Sequence, residues 1–118
     1  MYSHKKEMNM HKVAIEKIAN NPGKIGIKGN IVGVCLEKKL YDIKKGIRYQ
    51  IAQPDIIFEL STGEIIIIEY KNNGNCLEKA QQQLARAVSW YARYTNIPLD
   101  KIKTRVVYGD TYSFLKKL

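Results

Sequence analysis

The chain has 118 residues, 20 Lys or Arg against 11 Asp or Glu, a formal net charge of +9, and 45% hydrophobic residues. One domain spanning residues 1–118 is expected at this length, and the apolar content excludes general disorder. No apolar run approaches the roughly 18–20 residues that cross a bilayer, and the polar N-terminal stretch lacks the apolar core of a secretory signal, so a cytoplasmic protein without a membrane partner is expected.

Residues from Ser3 to Asn20 read as a first helix. Met8, His11, Ile15, Ile18 and Ala19 recur at helical spacing, Ser3 is a candidate N-cap, and Asn21-Pro22-Gly23 is a stop signal. Ile25 to Asn30 is a loop or short strand. Ile31 to Ile43 is strand-like, Lys44-Lys45-Gly46 is a turn, and Ile47 to Ala52 is extended again. Asp55 to Leu60 and Ile65 to Lys71 are strands apolar on both faces, which predicts central positions in a covered sheet. A second helix runs from Leu77 to Thr95, with Leu77, Ala80, Leu84, Ala87, Val88 and Tyr91 on its apolar face. Ile102 to Tyr108 is a last strand, and Tyr112 to Leu118 a short terminal helix. Strands flanked by helices imply an α/β architecture with the sheet covered on both faces.

The basic excess favours a polyanionic partner. Against it stands a small group of ionisable residues at the ends of two apolar strands: Asp55 opens one, Glu69 and Lys71 close the next. Strand alternation puts Glu69 and Lys71 on one face. A three-residue loop, Ser61-Thr62-Gly63, pairs Leu60 with Glu64 and so Asp55 with Glu69, whereas a two-residue loop would place Asp55 opposite Tyr70. The glycine at the end of the loop supplies the left-handed residue that a three-residue hairpin needs, so the longer loop is expected. Adjacent carboxylates beside a buried sheet are costly unless they neutralise one another or bind a cation. A divalent cation with oxygen ligands suits them and suits phosphodiester hydrolysis, with Lys71 stabilising developing negative charge.

Pro54-Asp55, then Glu69-Tyr70-Lys71 fourteen positions beyond Asp55, resembles the PD-(D/E)xK nuclease superfamily. The resemblance extends over most of the chain and implies a restriction-endonuclease-like αβββαβ core with a mixed central sheet flanked by helices. It implies a Mg²⁺- or Mn²⁺-dependent endonuclease acting on DNA. Asp55, Glu69 and the Tyr70 carbonyl become metal ligands, and Lys71 the catalytic lysine. It also implies a glutamate from the first helix, for which Glu7 matches best by its facing, ahead of Glu16 and Glu37. Gln81 would be a glutamine on the following helix that points at the sheet, with Gln83 at the flank. The chain's size is similar to that of archaeal and viral Holliday junction resolvases of this superfamily, which implies a homodimer.

Lys38, Lys39, Lys44 and Lys45, around the first hairpin, and Arg86 on the second helix are candidate nucleic-acid contacts; as solvated charges they would equally serve an exposed edge. Trp90 and Arg93 share the outer side of that helix. His4 and His11 lack a Cys or acidic partner at ligand spacing, so His11 reads as a helix residue, and Cys35 and Cys76 read as reduced thiols. The alternatives to a nuclease are a non-catalytic nucleic-acid-binding module on the same fold and an interaction protein whose charges serve solubility.

Overall fold

The computed structural model describes residues 4–72, 77–109 and 113–116, with the side chains of residues 4–9 and 113–116 outside that description. It is a small α/β fold. Helix α1 spans His4–Asn20 and is followed by a short 3₁₀ turn at Pro22–Ile25. Strands β1 (Ile31–Leu36), β2 (Leu40–Lys44), β3 (Ile47–Ala52), β4 (Ile56–Leu60) and β5 (Ile65–Lys71) lead to helix α2 (Leu77–Tyr94), then β6 (Ile102–Tyr108) and β7 (Ser113–Lys116).

The main sheet has the order β1-β4-β5-β6-β7. The β1, β4 and β5 strands form an antiparallel meander, β5 and β6 are parallel, and β7 returns antiparallel. A parallel neighbour requires a crossover, and α2 is that crossover.

Alternation sorts the apolar residues of the central strands onto two faces. Ile56, Phe58, Ile66, Ile68 and Tyr70 pack with Ile15 and Ile18 of α1. Ile57, Ile65 and Ile67 pack with Ala80, Leu84, Ala87 and Tyr91 of α2. Every residue from Ile65 to Tyr70 is therefore buried, which explains the unbroken isoleucine run. The expected apolar face of α2 is the one that packs.

The hairpin register follows the three-residue expectation. Ile56 pairs with Ile68 and Glu59 with Ile65, the Leu60 N–H donates to the Glu64 carbonyl at 2.9 Å, and Gly63 takes φ +90°. Continued by one residue, the ladder sets Asp55 beside Glu69.

Two expectations are corrected. The stretch from Ile31 to Ile43 is not one strand: Glu37, at φ +51°, breaks it. The β2 and β3 strands then leave the main sheet and pair with each other alone as a separate two-stranded ribbon, with Tyr41 and Asp42 bonded to Trp90, Arg93 and Tyr94 of α2. The C-terminal helix is instead β7, whose residues complete the free edge of β6. The proposed cap Ser3 and Cys76 lie outside the described residues.

Thr104, in β6, is buried, and its Oγ1 has no hydrogen-bond partner among the described residues. An unmatched buried hydroxyl costs roughly 1–3 kcal/mol. Thr104→Val keeps the shape and the β-branching, so it should raise the melting temperature by several degrees, as measured by circular dichroism.

Candidate functional site

Four elements converge at one end of the main sheet. Asp55 immediately precedes β4, Glu69 and Lys71 end β5, Glu37 immediately follows β1, and His11 comes from α1. Asp55 and Glu69 are both buried. Each is held by a backbone amide of the other's chain segment: Asp55 Oδ2 accepts the Tyr70 N–H at 2.7 Å, and Glu69 Oε1 accepts the Asp55 N–H at 3.2 Å. These bonds lock the carboxylates next to each other before any ligand arrives.

The second oxygen of Asp55 meets α1. His11 Nε2 lies 3.0 Å from Asp55 Oδ1, and the His11 ring stands 5.8 Å from that of Tyr70, centroid to centroid. The hydrogen bond to Asp55 holds the imidazole above its usual range, with burial opposing. Glu37 completes the group. Its N–H donates to the Asp55 carbonyl at 2.9 Å, its own carbonyl accepts from Gln53 at 3.0 Å, and its side chain is exposed. One ligand atom from each of His11, Glu37 and Asp55 lies within 4.8 Å of the other two.

Glu69 carries the electrostatic tension. Its pKa is pushed from 4.5 up to about 8, first by burial and then by the Asp55 charge, with Lys71 and His11 pulling the other way. A buried carboxylate beside a second one favours its protonated form unless a cation is near.

His11 reads from the sequence as a helix residue and not as a ligand. Its partner is 44 positions away. The available signal was its place on the apolar face of α1, in line with Ile15 and Ile18, where a polar ring needs a partner. Glu37, a lesser candidate on sequence, joins the group through the left-handed turn that ends β1. Glu16 faces solvent, and the Glu7 side chain lies outside the described residues.

Gln81, which the resemblance implies would point at the sheet, is exposed. The neighbouring Gln83 is half-buried, with an Oε1 that is buried and lacks a partner among the described residues. A glutamine one turn-quarter off the packed stripe of Ala80, Leu84 and Ala87 is enough to invert the assignment. Lys38, Lys39, Lys44, Lys45 and Arg86 are exposed. Trp90 and Arg93 do not face open solvent alone: Trp90 Nε1 donates to the Tyr41 carbonyl at 2.8 Å and Arg93 Nη1 to Asp42 Oδ2 at 2.5 Å.

The raised Glu69 pKa makes the folded chain bind more protons than the unfolded one between about pH 4.5 and about pH 8. Stability therefore falls as pH rises through that window, and the loss is complete above it. Glu69→Gln keeps the oxygen that accepts the Asp55 N–H and removes the charge. It should raise the metal-free melting temperature at pH 9 by roughly 5 °C or more and change it much less at pH 4. A thermal melt at the two pH values checks this. No family model, no curated protein and no solved structure matches the chain, so this site is read from its own residues.

Proposed function

We propose that the chain is a divalent-metal-dependent nuclease that hydrolyses phosphodiester bonds in DNA. The observation that carries this reading is the pair Asp55 and Glu69, buried together at the strand ends with Lys71 two residues on and His11 and Glu37 closing the group. The element order supports a nuclease-like core: a helix, a three-stranded antiparallel meander, a crossover helix and a parallel strand. The β2–β3 ribbon is inserted between the first two strands of the meander, and β7 is added at the far edge.

The residues fit a cation. The carboxylates that crowd each other without one are hard oxygen donors, and the pKa of Glu69 records the need for positive charge. Asp55, Glu69 and the Tyr70 carbonyl would hold Mg²⁺ or Mn²⁺, with His11 and Glu37 as further donors. When bound, the cation polarises a phosphate oxygen and acidifies water. Lys71 orients the attacking water and stabilises charge that develops on the phosphate. The amide bonds to Asp55 and Glu69 keep both carboxylates in place through the reaction, so little reorganisation is required. His11 must lose its proton before its nitrogen can ligate, so affinity rises with pH through the imidazole range. An imidazole donor also suits Mn²⁺ better than Mg²⁺.

The test is cleavage of labelled DNA substrates in Mg²⁺ or Mn²⁺. Wild-type protein should cut, faster in Mn²⁺. Asp55→Asn and Lys71→Ala should each lower the rate by at least roughly a hundredfold, and His11→Ala by about ten- to a hundredfold, with the larger loss in Mn²⁺. Equal cutting by the Asp55→Asn preparation would identify a contaminant. Salt-sensitive binding with no cleavage in either metal would leave the binding module instead.

A further inference from the structure

Strand β4 reads Ile56-Ile57-Phe58-Glu59-Leu60, and Glu59 is its one exposed residue. It pairs with Gly33 of β1 on one side and with Ile65 of β5 on the other. Alternation puts its side chain on the face of Ile57 and Ile65, the face that α2 covers. An apolar residue is the usual occupant of such a layer. The neighbouring glycine leaves the glutamate room, since a Cβ at Gly33 would come within 3.1 Å of Glu59 Oε2. The Glu59 carboxylate has no hydrogen bond or ion pair among the described residues.

Glu59 lines a cavity of about 430 Å³ between the sheet and the C-terminal half of α2. That volume lies in the range of small-molecule sites. Trp90 and Tyr91 form an aromatic wall, with ring centroids 5.0 Å apart and planes 80° from parallel. The half-buried indole is fixed in place by the bond from its Nε1 to the Tyr41 carbonyl. Burial, and then the Cys35 and Glu59 charges, push the Tyr91 hydroxyl up to about 12, so it stays protonated as a donor. Ile65 and Ile97 add apolar surface, and Lys38, between β1 and β2, contributes an ammonium. None of Asp55, Glu69, Lys71, His11 and Glu37 lines this cavity.

The lining restricts the ligand. A simple cation would satisfy Glu59 but meet Lys38, and a simple anion would do the reverse. A flat body with N–H donors at one end and an anionic group at the other satisfies both, and the aromatic wall suits such a body. An ionised carboxylate only accepts, through two oxygens side by side. The Watson–Crick edge of guanine places N1–H and the exocyclic N2–H next to each other, which matches those oxygens in a bidentate contact. Adenine and cytosine set a ring-nitrogen acceptor beside their amino group, and that lone pair would face the carboxylate.

We propose that this cavity binds a guanine nucleotide, with Glu59 accepting from N1–H and N2–H, Trp90 stacked on the base and Lys38 on the 5′-phosphate. The nucleotide is free or is a residue of a strand, and the shared chemistry is the guanine edge with its phosphate. The proposal does not depend on the nuclease reading.

Trp90 is the only tryptophan of the chain, so its emission reports on the cavity. The full chain in EDTA is titrated with GMP, IMP, AMP and guanosine. GMP should quench the tryptophan saturably. IMP lacks the 2-amino group and AMP turns an acceptor toward Glu59, so each should bind roughly ten- to a hundredfold more weakly. Guanosine loses one exposed charge contact and should bind about two- to fivefold more weakly. Glu59→Gln should lower GMP affinity at least about tenfold. Lys38→Ala should abolish the difference between GMP and guanosine and keep that between GMP and IMP. The Glu59→Gln protein carries the same tryptophan, so it corrects for light absorbed by the nucleotide, and an unchanged circular dichroism melt establishes that it folds. Competition with GMP by a single strand that begins with 5′-phosphoguanosine extends the site to strands, and lack of competition confines it to the free nucleotide; the guanine site stands in either case. No saturation by about 10 mM GMP, equal affinity for GMP, IMP and AMP, or GMP binding unaltered in Glu59→Gln overturns the proposal. Quenching by arginine and not by GMP assigns the cavity to a cation and also overturns it. None of these outcomes bears on cleavage at Asp55 and Glu69, so the two readings fail separately.

Discussion

Two carboxylates buried side by side are an unfavourable thing for a fold to hold, and most of this molecule is arranged around holding them. Asp55 and Glu69 sit at adjacent positions of an antiparallel ladder, each accepting an amide from the other's segment. Those amides and the His11 ring compensate part of the desolvation. The remainder appears in Glu69, whose pKa climbs to about 8. A fold selected only for stability would place apolar residues there, since replacing buried charges by packed hydrophobes is often neutral or favourable. The isoleucine-rich β5, covered on both faces, supplies the surrounding stability that lets the charged end persist.

The helices act on that end from opposite sides. Helix α1 runs over one face, buries Ile15 and Ile18, and so presents His11 to Asp55. Helix α2 seals the other face and, as the crossover to β6, makes the end of β5 an interior strand end with neighbours on both sides. Backbone groups and side chains from several elements meet at that strand end. The geometry is a consequence of parallel pairing: an antiparallel return from β5 would have closed the end with a tight turn and left no room for the group.

Much of this was legible because it is local. The loop Ser61-Thr62-Gly63 determines the register by one glycine, and the register sets Asp55 beside Glu69. The unbroken apolar run of β5 declares burial on two faces, and the periodic residues of α2 declare its packed stripe. What was not legible depends on contacts between distant segments. His11 needs a carboxylate 44 residues away. The strand from Ile31 onward breaks because Glu37 turns left-handed to reach Asp55, which its side-chain type does not announce. Gln81 and Gln83 differ by 200° around a helix, so a small error in the direction of the core exchanges them. The C-terminal segment becomes a strand because β6 has an edge to fill, which no propensity of the segment itself states.

Two described non-glycine residues adopt positive φ, Glu37 and Lys45. They bracket the first strand of the ribbon, one at its base beside the carboxylates and one at its tip among the cations. Each conformation costs on the order of 1 kcal/mol against an extended or helical one. Nothing in the packing of either core cluster demands it, because the ribbon's outer half lies outside both. At the base the cost brings the Glu37 carboxylate within ligand reach of Asp55 and His11. At the tip it closes a two-residue turn that sets Lys44 against Ile47 and projects both. The same segment therefore runs from a candidate metal ligand to a charged, apolar point some strand-length away, with Asp42 anchoring it to α2.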